Sequence, residues 1–112
     1  MGKGQFLGEF EQIVLLAVAR LEGEGYGMTI RREIERSTAR KVTIGPVYST
    51  LTRLEQKGHV SSRKGEATPI RGGKATRHFL ILPTGVRALQ RSRMMLNQMW
   101  QDIPFDPSPE TP

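Results

Sequence analysis

The chain has no cysteine among its 112 residues. That absence excludes disulfide scaffolds, thiolate metal sites, cysteine nucleophiles and cysteine-based zinc fingers together, and a reducing compartment is the expectation that follows. Aromatic residues are scarce at 6%, and the longest apolar run, 13–19, covers only seven positions. A helix that crosses a bilayer needs ~20, so no membrane span is predicted. Ahead of Glu9 and Glu11 there is a single basic residue, Lys3, and no apolar stretch of signal length. Neither a secretory nor a transit peptide is readable, and the cytoplasm is the expected address.

Catalytic patterns are missing as well. No Ser, His and Asp arrangement supports an activated nucleophile, and the carboxylates are scattered along charged helix faces where solvation explains them. The two histidines, His59 and His78, stand nineteen positions apart with no carboxylate cluster beside them, and they read as ordinary strand residues. No metal, cofactor or enzymatic activity is expected. A domain of this length also buries only roughly 60–70% of the surface its unfolded chain exposes, which leaves little room for an enclosed pocket and makes oligomerisation a natural source of further burial.

What the sequence has is positive charge, unevenly placed. Lys and Arg number 17 against 11 Asp and Glu, a net charge of +6. Residues 1–28 carry −2, residues 29–78 carry +8 and residues 79–112 carry zero. A field concentrated on one region attracts polyanions, so nucleic acid is the leading partner and an anionic membrane surface the second.

Periodicity divides the chain into six elements. Phe10, Ile13, Val14, Ala17 and Leu21 recur at helical spacing over 8–21. Gly23, Gly25 and Gly27 interrupt that pattern before a second helix over 28–38, where Ile30 and Ile34 share a face. A third helix is predicted over 44–57, with Thr43 offering an N-cap oxygen, Pro46 in the first turn and Gly58 as the stop. Its inner face is Val47, Leu51 and Leu54; Tyr48, Ser49, Thr52, Arg53 and Gln56 are left on the outer faces. Residues 59–63 and 76–82 read as strands joined by a glycine-rich basic loop. A last helix over 84–101 carries Val86, Leu89, Leu96 and Trp100 in a series interrupted by Arg93. Four prolines in the final nine residues argue against regular structure there.

This order is that of a mainly α, α+β fold: a winged helix-turn-helix over 6–82, an additional C-terminal helix over 84–101 and a disordered tail over 102–112. The segments LGEFEQIVLLAV (7–18), YGMTIRREIE (26–35), GPVYSTLTRLEQKGHV (45–60), RGGKATRHFLIL (71–82) and PTGVRAL (83–89) resemble the PadR family of transcriptional regulators in its short form, over residues 6–101. Pro83 stands where the family usually has threonine, and Thr84 is left to cap the last helix. The resemblance implies a dimer that binds a dyad-symmetric double-stranded operator and represses transcription, often in response to a small molecule.

On this frame Tyr48, Ser49, Thr52 and Arg53 are the candidates for major-groove contact. Arg53 suits guanine O6 and N7, Ser49 and Thr52 can donate to phosphates or base edges, and Tyr48 reads either as a contact or as a half-buried packing residue. Lys64, Arg71, Lys74 and Arg77 would form a wing that neutralises phosphates or reaches a minor groove. Gly73-Lys74 runs on into Ala75 and a strand, which excludes a nucleotide-binding phosphate loop.

In the last helix Val86, Leu89, Leu96, Met99 and Trp100, with Met94 and Met95, wrap more than one stripe, as a dimer interface does. Trp100 reads either as a dimer-packing residue or, paired across a two-fold axis, as a sandwich for a flat aromatic or cationic effector. A different class of function remains open on sequence alone: a winged-helix module whose basic face docks on an acidic protein.

Overall fold

The computed structural model describes residues 6–65 and 76–105. Four helices and a small antiparallel sheet follow one another as α1 (Glu9–Arg20), α2 (Gly27–Thr38), α3 (Ile44–Gln56), β1 (Val60–Lys64), β2 (Arg77–Ile81) and α4 (Pro83–Trp100). The mainly α, α+β architecture expected from the sequence is the one observed.

Helix α1 is the centre of the fold, in contact with α2, α3, β2 and α4. Being surrounded, it buries more than one stripe. Leu15 and Val18, absent from the predicted series, are fully buried beside Val14 and Ala17, whereas Phe10, Ile13 and Leu21 pack only partly against the core. Leu7 ahead of α1, Ile30 and Ile34 from α2, Val47, Leu51 and Leu54 from α3, Val60 and Phe79 from the strands and Ala88 from α4 complete that core. Each such aliphatic side chain taken out of water contributes about 1.5–3 kcal/mol before entropy is counted.

Local chemistry sets the helix ends, with some departures from expectation. Thr43 occupies the N-cap position of α3 in extended geometry, but its hydroxyl makes no capping hydrogen bond. Gly58, at φ 80°, ends α3 in the left-handed region that glycine adopts without strain. His59 is not a strand residue; it is buried just before β1, its N–H donating to the Leu54 carbonyl (2.9 Å) and its own carbonyl accepting from Leu82 (2.9 Å).

The two strands pair from Val60 opposite Ile81 to Lys64 opposite Arg77. Phe79 also donates its N–H to the Gly25 carbonyl (2.9 Å), which ties the sheet to the residues entering α2. The connecting loop that holds Arg71 and Lys74 lies outside the described residues.

Helix α4 begins one residue earlier than predicted because Pro83 takes the first helical position, where its missing N–H costs nothing. Leu82 is the N-cap. Thr84 therefore does not cap; its hydroxyl donates to the Gly58 carbonyl and fastens α4 to the end of α3. The side of α4 that meets the body is lined by small residues, Gly85, Ala88 and Ser92. A methyl group on Gly85 would come within 2.5 Å of the His59 carbonyl oxygen. The larger apolar residues Val86, Leu96, Met99 and Trp100 turn outward, and only Leu89 packs partly on the core. After α4, Asp102 at φ 59° turns the chain so that the Phe105 ring meets the Trp100 indole edge-on at 5.9 Å. The rest of the predicted tail, 106–112, lies outside the described residues.

Candidate nucleic-acid interface

The outer face of α3 is built by the burial of its inner one. Val47, Thr50, Leu51 and Leu54 are buried against α1 and α2, which orients everything else. At about 100° per residue, Ser49, Thr52 and Gln56 occupy the middle of the exposed face and Tyr48 and Arg53 its two edges. All five are exposed. The four recognition-helix candidates thus share one surface, and Gln56 joins them. Its amide can pair bidentately with adenine, a capacity that its place on the outer face already signalled.

The two edge residues are held by neighbouring helices. The Tyr48 ring lies against Gly27, the first residue of α2, so closely that a β-carbon there would overlap it. Packing and exposure are therefore combined in one side chain. On the opposite edge, Arg53 directs Nε to Glu11 Oε2 (3.4 Å) and Nη2 to Thr50 Oγ1 (3.4 Å), while about half of its side chain stays exposed. Lys57 Nζ reaches the same Glu11 oxygen at 2.8 Å.

Glu11 is buried in the first turn of α1 and also accepts the Gly8 N–H at 2.9 Å. Burial pushes its carboxyl upward, yet Lys57, the Gly8 N–H and Arg53 outweigh that and hold it below the ordinary carboxylate value. A second clamp joins α1 to α2: Glu33 accepts from Arg20 Nε (2.6 Å), Arg36 Nη2 (2.6 Å) and Ser37 Oγ (3.0 Å). Arg20 first and Arg36 second lower its pKa to about 2. These anions were not singled out from sequence, where both look like members of solvated helix faces.

The hairpin stands beside this surface. Lys64 and Arg77 are exposed at the last pair of its ladder, directly opposite each other. Arg77 Nη1 donates to Ser62 Oγ (2.8 Å), which in turn donates to Glu55 Oε2 on α3 (2.8 Å), so the strand cation is linked to the helix. Arg63 is exposed near Gly23 and Glu24, on the side of the α1–α2 connection. Of the four predicted wing cations, Arg77 is linked to α3 through Ser62 and Lys64 stands opposite it on the ladder; Arg71 and Lys74 lie outside the described residues.

The predicted dimer and effector residues gather elsewhere. Val86, Leu89, Leu96 and Trp100 line an open groove of about 670 Å³ between α4 and α1, with Leu16, Ile81 and Arg93. Met99 is on the same helix and exposed. The Arg93 that interrupts the apolar series is part of that wall. Among the described residues no three His, Cys, Asp or Glu side chains converge as a metal site, and no helix is long and apolar enough to cross a membrane.

Comparison with known proteins adds to this geometry. Residues 15–91 match the model of the transcriptional regulator PadR-like family. The fold is similar to that of a transcriptional regulator from Clostridium thermocellum, with TM-score 0.66 and 23% identity over 80% of this chain and 81% of the other. A PadR family transcriptional regulator from Eggerthella lenta gives TM-score 0.65 and 18% identity over 81% and 79% of the two chains. The Aeropyrum pernix ORC1 protein, in a structure with DNA, matches at TM-score 0.61 and 22% identity over 82% of this chain but 26% of its own length. No curated protein sequence matches the chain.

Proposed function

The chain belongs to the PadR-like family, a family of transcriptional regulators and not of enzymes, and from that premise we propose that it is a homodimeric repressor that binds a dyad-symmetric DNA operator. The observation that carries this reading is the exposed face of α3, where Tyr48, Ser49, Thr52 and Arg53 stand together, with the strand cation Arg77 linked to the same helix through Ser62 and Lys64 opposite it on the ladder. Hydroxyls and an amide at the centre of such a face suit base edges in a major groove. Cations at its margin suit phosphates, which give affinity but little sequence choice.

The dimer half of the proposal rests on α4. Val86, Met94, Met95, Leu96, Met99 and Trp100 are all more than a third exposed, an apolar surface that a lone domain of this size does not cover. A second copy packed there would set two α3 helices at the spacing of one DNA turn, about 34 Å. Trp100, on the groove wall, is the contact we assign to a planar aromatic or cationic effector. Saturable quenching of its fluorescence by a panel of such compounds is the expected result; no quenching across the panel removes the effector from the proposal.

Fluorescence anisotropy on the chain's own upstream DNA, against a scrambled duplex, tests the function. If a dimer neutralises about 6–10 phosphates, log K falls with log salt at a slope of roughly −5 to −9. A flat salt response, or equal affinity for both duplexes and for every sequence in a selection, rejects it.

A further inference from the structure

Glu11 is an unusual presence behind a surface meant for DNA. It is an anion, it is buried, and it is shared by two cations, Arg53 of the proposed reading helix at 3.4 Å and Lys57, which caps that helix, at 2.8 Å, both on Oε2. Its other oxygen is held by the Gly8 N–H, so the carboxylate cannot swing out to follow them. Thr50, itself buried, takes a second nitrogen of the same guanidinium. Arg53 is thereby tethered through Nε and Nη2, each at 3.4 Å, and among the described residues its Nη1 side is left for a ligand. A free arginine at this edge would sweep a cone several ångströms wide and pair with any phosphate in reach; a tethered one meets only what arrives in register.

We infer that Glu11 is a specificity-determining positioning residue: it holds Arg53 in one orientation at the edge of α3 and offsets the charge of Arg53 and Lys57 toward non-operator DNA. This inference rests on the DNA-binding reading above and deepens it. The electrostatic reasoning is direct. Non-specific affinity is set almost entirely by cations available to phosphates, whereas the operator complex also depends on where each donor stands. An anion bonded to two cations subtracts from the first quantity and supports the second. Because Glu11 is approached by the N–H of Gly8, the N-cap of its own helix, and by Arg53 and Lys57 from the C-terminal end of α3, its neutralisation changes the freedom of the two cations without removing a donor from the surface.

The test uses the full chain with an operator duplex selected by the wild-type protein from a randomised pool, and a random duplex of equal length. Glu11→Gln keeps an acceptor for Gly8 and removes the charge. Expected are roughly two- to fivefold tighter binding of random DNA per subunit, the worth of one partly exposed ion pair, no gain on the operator, and a salt slope steeper by up to about 1 per subunit. In an Arg53→Gln background the same substitution should still steepen the slope, because Lys57 at 2.8 Å is freed there too, but it should no longer change the ratio of operator to random affinity by more than that charge effect. Equal weakening on both duplexes with an unchanged slope overturns the inference, since a merely structural carboxylate would behave in that way. Should Glu11→Gln fail to fold by circular dichroism, Arg53→Gln alone decides. A larger loss on operator than on random DNA supports a positioned guanidinium, and equal losses refute one. If the wild-type protein selects no sequence at all, the DNA-binding reading falls and takes this inference with it; selective wild-type binding with an unaltered Glu11→Gln ratio removes the inference alone.

Discussion

Gly27 and Tyr48 are in such close apposition that the phenol ring of the third helix occupies the space a β-carbon would need at the start of the second. The atoms involved are the far end of an exposed side chain, so a methyl group there would displace the ring before it displaced either helix. Gly27→Ala is expected to lower stability by under about 1 kcal/mol while weakening operator binding as much as Tyr48→Ala does. Combining the two substitutions should add nothing, which anisotropy and thermal melts on the three variants would check.

Gly85 makes the opposite kind of contact. A β-carbon there would meet the His59 carbonyl oxygen at 2.5 Å and Ile81 Cγ1 at 3.0 Å, and backbone cannot move aside as a ring can. Gly85→Ala should therefore push α4 from its seat and cost about 1–3 kcal/mol. Urea denaturation reads this directly; a change within error would mean that α4 shifts freely along the body.

Glu33 makes stability depend on acid. Its carboxyl falls from 4.5 to about 2 in the folded chain, chiefly through Arg20 and then Arg36. The unfolded chain binds the proton more tightly, so this contribution is complete above pH 4.5 and is lost as the pH falls toward about 2. Wild type should exceed Glu33→Gln in urea midpoint at neutral pH, and the gap should close over that acid range. A gap that is as wide at pH 2 as at neutral pH would contradict the assignment.

His59 acts at a milder pH. Burial first, then Lys57, outweigh the opposing pull of Glu11, and Arg91 adds a still smaller push, so its pKa lies below the ordinary 6.5. Its neutral form is the one the fold accommodates, so stability is full above pH 6.5 and declines as the pH drops through the lowered value. Neither ring nitrogen has a hydrogen-bond partner among the described residues. His59→Phe should flatten the stability profile below pH 6.5 with little loss at pH 8.

The exposed face of α4 predicts an assembly phenotype. Leu96→Lys with Met99→Lys places two charges on it without touching α3. Sedimentation velocity should show dimers for wild type and monomers for the double variant, with operator affinity reduced by about a hundredfold through lost bivalency. Monomeric wild type would refute the dimer proposal.

Much of this molecule is legible in residue order. The spacing of Val47, Leu51 and Leu54 determines which side of α3 is buried, and so by elimination exposes Tyr48, Ser49, Thr52 and Arg53; helical geometry needs no tertiary information for that step. Gly58 and Pro46 mark the helix ends for reasons of backbone freedom alone. The +8 concentrated in residues 29–78 likewise belongs to the sequence.

Other features exist only because distant segments meet. No spacing rule joins Glu11 to Arg53 and Lys57, more than forty positions away, or shows that Glu33 draws Arg20 from another helix. In α4 the apolar series was the conspicuous signal, yet the seam with the body is made by Gly85, Ala88 and Ser92. Helix and backbone approach closely there only where side chains are small, and a hydrophobicity pattern does not report closeness. Periodicity is a property of one element and is determined locally; the pairing of charges and the fit of surfaces are properties of two, and only the tertiary structure decides them.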